Sequence, residues 1–295
     1  MPLNPDYLMA LERDEVLHAW DWRDAAIYAL GLGYGDDPTD KGQLSFVDKA
    51  QSLQTMPAIV NVLAYDGEWL HDPKTGIDYL KVVHGEQDME IHKPLPITGS
   101  VRANTRITHL ADKGPGKGAL IVMERVLHDV QDGTPMATVR QTVFCREAGG
   151  FNGESAAPSR TLPLPERSPD GTIEIATPPQ LALIYRLSGD LNPLHSDPDV
   201  AQQAGFKRPI LHGLSTFGIA CRVLIQTLCD NDASRVKGLA GRFSAPVYPG
   251  EILAIDFWHT APGQALCRVR VPQRDSVVLT NARFDYVSLN REEGA

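Results

Sequence analysis

The sequence predicts an α+β protein built as two similar units in one chain, each a buried helical segment wrapped by an antiparallel sheet. Three observations carry this. First, Lys93–Val101 (KPLPITGSV) is echoed by Ala245–Leu253 (APVYPGEIL), and Tyr28–Pro38 (YALGLGYGDDP) by Tyr185–Pro198 (YRLSGDLNPLHSDP) at nearly the same offset, which marks a duplication. Second, in each half an apolar helical segment precedes several runs whose apolar and polar residues alternate with the period of a half-buried strand. Third, Ala148–Gly171 (AGGFNGESAAPSRTLPLPERSPDG) is rich in Gly, Pro and Ser without apolar periodicity, as a linker is. The units are thus expected over 1–150 and 172–295, joined by a linker over 151–171.

In the first unit the helical segment is expected near Met56–Leu63. Strands are expected at Val82–His92, Ser100–Leu110, Ala119–Val130 and Met136–Cys145, the last two joined by a hairpin at QDGT. In the second unit Asp197 is suited to cap a short helix, with Pro198 in its first turn and Gly205 at its end. Pro209–Cys229 follows, apolar nearly all round, so a helix there must be buried. Four strand-like stretches complete the unit: Gly241–Pro249, Glu251–Thr260, Gln264–Pro272 and Ser276–Val287.

Composition narrows the function classes. A hydrophobic share of 42% with 22% charged residues fits a compact globular chain. The formal net charge of -9 argues against a general nucleic-acid surface, which needs clustered Lys and Arg. Cys145, Cys221, Cys229 and Cys267 show no CxxC spacing and sit in apolar runs, so reduced core residues are expected. No secretory signal is visible in MPLNPDYLMALERDEV, no run is long enough to span a membrane, and the REEGA terminus is not a peroxisomal address. A cytoplasmic location is expected.

The chemistry concentrates in GDLNPLH, Gly189–His195. Asn192 precedes Pro193 and is biased away from helix, so the chain should bend there. Such a bend can bring Asp190 and His195 to one point as an acid–base pair acting through water. Alternatively, Asp190 and Asn192 only satisfy turn amides. His212 and Gly213 stand at the start of the long apolar segment, where backbone N–H groups lack partners and Gly213 leaves room for a ligand oxygen; the alternative is that Gly213 only permits close packing. His195, Asp197 and His212 mix zinc-compatible donors but lack any metal-site spacing, and no metal is expected. The GLGYG run lacks the dinucleotide fingerprint. Lys113 and Lys117 lie in the glycine-rich DKGPGKGALI, suited either to phosphates or to a solvated hairpin. Arg242 is suited to a phosphate or to one of the chain's many acids.

The stretch YRLSGDLNPLHSDPDVAQQAGFKRPILHG, together with YALGLG, HGEQDMEIHKPLP, GKGALI, GGFNG and RFSAPVYPGE, resembles the hydratase 2 type of MaoC-like (R)-specific enoyl-CoA hydratases. That family includes the hydratase part of peroxisomal multifunctional enzyme type 2. The resemblance implies a double hot-dog fold and reversible syn addition of water to a trans-2-enoyl-CoA, giving the (R)-3-hydroxyacyl-CoA of fatty-acyl or sterol side-chain β-oxidation. It implies that Asp190 and His195 hold the water, Asn192 orients them, and the Gly213 N–H stabilises the thioester oxygen. Tyr185, Asp197 and His212 match positions that support the site; His84 and Gly85 match the HGEQ segment along the acyl or pantetheine path; Tyr28 matches in the first half. The acid that the family often shows after LxFxY is replaced, since LSFVDKA offers Asp48 and Lys49. No cofactor is implied, CoA being part of the substrate, and a homodimer is. YALGLGYGDDP lacks DxNPxH, so the first unit should be catalytically silent and help form the pocket. Two other functions fit an acyl-CoA fold: a hot-dog thioesterase, and a non-catalytic acyl-CoA-binding subunit.

Overall fold

The computed structural model describes residues 3–50 and 52–289; the REEGA terminus lies outside them. The first half runs α1 (Pro5–Met9), β1 (Val16–Trp20), α2 (Trp22–Leu30), α3 (Lys41–Leu44), β2 (Val82–Ile91), β3 (Gly99–Ala103), β4 (Thr105–Asp112), β5 (Ala119–Asp129) and β6 (Pro135–Cys145). The second runs β7 (Gly171–Ala176), α4 (Leu181–Tyr185), α5 (Pro198–Gln203), α6 (Gly213–Leu228), β8 (Val236–Phe243), β9 (Ile252–Ala261), β10 (Gln264–Val271) and β11 (Ser276–Tyr286).

All eleven strands form one antiparallel sheet ordered β1-β3-β5-β6-β2-β8-β11-β10-β9-β7, with β4 also on β5. Read inward from either end, the order is the same series of equivalents, so the sequence repeat is a repeat of topology. The halves join where β2 pairs with β8, Glu86 opposite Arg242 and Glu90 opposite Gly238. A Cβ on Gly238 would stand 2.8 Å from the Met89 carbonyl, so this junction requires glycine.

The sheet wraps α6, which is buried from Ser215 to Ile225 as its all-round apolar sequence demands. Its exception is Arg222, 2% exposed, which donates to the Leu32 carbonyl, Asp36 and Gln43 and lies over the Tyr34 ring. The second-half helix is therefore pinned to the loop after α2 in the first half. All four cysteines are free and buried. No helix among the described residues is long and apolar enough to cross a membrane.

The expected helix of the first unit is corrected. Met56–Leu63 holds only a five-residue 3-10 turn, Pro57–Asn61. β-branched Ile59 and Val60 weaken continuation, Ala64 adopts a left-handed φ of 49°, and the buried Arg125 guanidinium takes the Val60 and Asn61 carbonyls that a longer helix would use. Ser100–Leu110 also breaks at Asn104 into β3 and β4, and β8 begins earlier than Gly241 and ends at Phe243. The linker is pinned along the sheet: Arg160 pairs with Glu90, Ser159 donates to Glu86, and Leu162 N–H donates to the Asn281 carbonyl. Gly171, expected as its last residue, opens β7.

Candidate active site

Helix α4 continues into a 3-10 turn, Arg186–Ser188, that stops at Gly189, whose φ of 122° is disfavoured for a residue with a side chain. Asp190 follows directly. Asn192, extended before Pro193, opens a second 3-10 turn, Pro193–His195; its Oδ1 accepts the Leu194 N–H at 3.0 Å, and its own N–H donates to Asp190 Oδ1 at 3.2 Å. Asn192 thus orients the pair through the backbone of this turn rather than by a side-chain bond to either partner.

The His195 Nδ1–H donates to the Ile210 carbonyl at 2.8 Å, which leaves Nε2 as an acceptor. His212 Nε2–H donates to the Asp190 carbonyl at 3.2 Å, and the two imidazoles stack with centroids 3.7 Å apart. One donor atom each from Asp190, His195 and His212 lies within 4.8 Å of the others. Atoms this close can be bridged by one small species, a water or a cation. Beside it, His212 caps α6 and Gly213 is its first residue; the Gly213 and Leu214 N–H groups have no acceptor among the described residues. Phe243 closes this corner: a Cβ on Gly213 would be 3.3 Å from its ring. Against Phe243 stands the His84 ring at 4.5 Å, brought from the first half by β2. Gly85 occupies the β2–β6 irregularity beside it, where a Cβ would lie 3.2 Å from the Thr142 carbonyl.

Family models match both halves: residues 18–147 match the MFE-2 hydratase 2 N-terminal domain, and 160–282 the MaoC like domain. The enoyl-CoA hydratase ChsH3 of Mycobacterium tuberculosis is 38% identical over 95% of this chain and 97% of its own. The peroxisomal enoyl-CoA hydratase 2 of Arabidopsis thaliana is 37% identical over 94% and 93% respectively. The chain belongs to the MaoC-like enoyl-CoA hydratase 2 family. A MaoC-like dehydratase from Phytophthora capsici superposes with a TM-score of 0.86 at 31% identity, covering 97% of this chain and all of that one. A Mycobacterium tuberculosis protein described as a double hotdog fold is similar in fold alone, with a TM-score of 0.59 at 15% identity over 97% of this chain and 98% of its own.

Within this hydratase 2 fold the remaining expected residues fall in different places. Tyr185 and Tyr28 are fully buried with rings 5.7 Å apart, and Tyr185 backs His212 at 4.9 Å, so these tyrosines support the site from behind. Asp197 caps α5, as its sequence suits it to, with Oδ1 accepting the Asp199 and Val200 N–H groups, and the acid beside His195 and His212 is Asp190. Arg242 pairs with Glu86 across the β2–β8 junction instead of standing free for a phosphate. Lys113 and Lys117 occupy the loop between β4 and β5, with Lys113 Nζ on the Ser155 carbonyl at 2.7 Å. The structure adds Tyr79, whose hydroxyl meets Asn192 Nδ2 at 3.4 Å and whose ring lies 3.9 Å from His71. No sequence motif marks this lone loop tyrosine.

Burial pushes the three imidazoles down: His195 below its ordinary value, His84 to about 4 and His212 to about 3. They are neutral near pH 7, and His195 Nε2 is available to take a proton. Stability follows with a definite sign. The contribution of these neutral imidazoles is intact above the unfolded value of 6.5 and is lost as pH falls from there toward about 4 and about 3. The thermal midpoint is expected to drop as buffer pH falls from about 7 to about 4, and His212→Gln to show a shallower drop. An identical pH slope in the variant would contradict this.

Proposed function

We infer that this chain hydrates trans-2-enoyl-CoA thioesters, and we propose a syn addition giving the (R)-3-hydroxyacyl-CoA. The observation that carries the reading is the meeting of Asp190 and His195, close enough for one water to bridge them, beside the N–H groups at the start of α6 that have no acceptor among the described residues. In the forward direction the water oxygen forms a bond to C3 while Asp190 and His195 accept its proton. The π electrons move onto the thioester oxygen, which the Gly213 N–H stabilises; such a donor typically contributes about 3–4 kcal/mol. The enolate collapses by taking a proton at C2 from the same pair, so that one face of the alkene receives both H and OH.

This route needs no metal or redox cofactor, and activity should survive dialysis against a chelator. The first unit is read as catalytically silent, because the turn equivalent to GDLNPLH holds no acid–imidazole pair and its Asp36 is engaged by Arg222. Lys113 and Lys117 are proposed to take the CoA phosphates, and His84 and Gly85 to flank the thioester path. A homodimer is proposed because β7 leaves an outer sheet edge exposed, with Ile173 41% accessible. Cytoplasmic location remains a proposal, and relatives include peroxisomal forms. Hydration of trans-2-decenoyl-CoA in D2O tests the geometry: the (R) alcohol with deuterium at C2 on the face that received the hydroxyl is expected, an (S) or racemic alcohol would sink the (R) assignment, and deuterium on the opposite face would sink the syn arrangement.

A further inference from the structure

The loop that carries Lys113 and Lys117 is built around a buried acid. Asp112 is 8% exposed, and its Oδ1 accepts the N–H groups of Gly114 at 2.8 Å and Gly150 at 2.7 Å while Oδ2 accepts that of Asn152 at 2.7 Å. Those donors hold its carboxyl below the ordinary carboxylate range. Its own N–H donates to the Glu154 carbonyl, and Lys113 Nζ donates to that of Ser155. The start of the inter-unit segment is thereby strapped across the lysine loop.

The loop is closed by the Lys113 N–H on the Gly118 carbonyl and the Lys117 N–H on that of Gly114. Gly149 lies against both carbonyls so tightly that an added Cβ would collide with each. With its carboxylate turned onto backbone N–H groups, Asp112 leaves the charge of its lysine neighbours unneutralised. Neither Lys113 nor Lys117 has an acidic partner among the described residues. The register places this loop toward the site: Asp112 pairs with Ala119, Ala119 with Cys145, and Cys145 with Val82, two residues before His84. Three strand spacings are about 14 Å, within the reach of a CoA chain whose thioester lies beside Gly213.

We propose that Asp112 is a positioning residue for the CoA end of the substrate, fixing the loop and its strap so that Lys113 and Lys117 meet the phosphates. This rests on the reading of those lysines as the phosphate site. A merely structural acid would affect every substrate alike; a positioning acid acts only on substrates that carry the phosphates.

The test compares trans-2-decenoyl-CoA with trans-2-decenoyl-pantetheine, which has the same reacting end and no phosphates. Asp112→Asn is expected to raise KM for the CoA ester about five-fold, the scale of one lost exposed charge contact, with kcat and the KM for the pantetheine ester unchanged. Gly149→Ala opens the same loop by a different route and should give the same pattern, so a poorly folded Asp112→Asn does not end the experiment. If Lys113→Ala with Lys117→Ala leaves the CoA-ester KM unchanged, the phosphate reading and this inference both fail. If the lysine variant raises that KM but Asp112→Asn and Gly149→Ala do not, or if they shift both esters together, the positioning role alone is overturned.

Discussion

Asp190→Asn is expected to lower kcat for enoyl-CoA hydration by about 10³-fold, within the range for loss of one acid–base group, with little change in KM. The amide keeps the size of the carboxylate and can still accept the Asn192 N–H through its oxygen, so the turn leading to His195 keeps its shape. What disappears is the anion that takes the proton of the water. Because Asp190 also receives the His212 N–H on its main-chain carbonyl, that bond is indifferent to the side chain. The stacked imidazoles therefore stay in place, and the loss reports chemistry and not collapse. Steady-state kinetics together with an unchanged thermal midpoint check this; a kcat within ten-fold of the parent would remove Asp190 from the mechanism.

Arg222→Ala is expected to cost about 3 kcal/mol of folding stability, measured by urea unfolding, at the lower end of the range for breaking a buried ion pair. The substitution strands the Leu32 carbonyl and opens a void against Tyr34, while the Gln43 amide oxygen loses the guanidinium but keeps the Gly35 N–H. Asp36, its ionic partner, is 44% exposed at its side chain and regains water, which keeps the loss from being larger. Arg222→Met should lose less, since its unbranched chain refills part of the space. A loss below about 1 kcal/mol for Arg222→Ala would mean that the contact between α6 and the first unit is not the tether described.

The legibility of this chain in its sequence was uneven for physical reasons. The Asp190–His195 turn was readable because Gly189, Asn192 and Pro193 each impose a backbone constraint at a fixed spacing, so chemistry and geometry sit in the same few letters. Helix α6 was readable because an all-round apolar run of that length has nowhere to go but the core. Met56–Leu63 carries the same kind of signal but is shorter, and an apolar run cannot distinguish a buried helix from a buried 3-10 turn; a distant arginine, Arg125, settles it. Asp197 is legible as a helix cap because Pro198 follows it in the first turn, and it accepts the Asp199 and Val200 N–H groups there. β7 starts at the last residue of the expected linker; all six of its residues pair with β9 but four are exposed, and the Thr172–Ile175 alternation is too short to mark a strand by itself. Tyr79 reaches Asn192 from the other half of the chain, and no local pattern encodes such a contact.

The most direct measurement follows one reaction of the parent protein with trans-2-decenoyl-CoA by two signals at once, the absorbance of the conjugated enoyl thioester and the appearance of free thiol. Hydration at the Asp190–His195 pair predicts that the absorbance falls to an equilibrium value with no thiol released, and that Asp190→Asn loses the fall. Thiol release at the rate of the absorbance change, or stable binding of the thioester with no change in either signal, would contradict it.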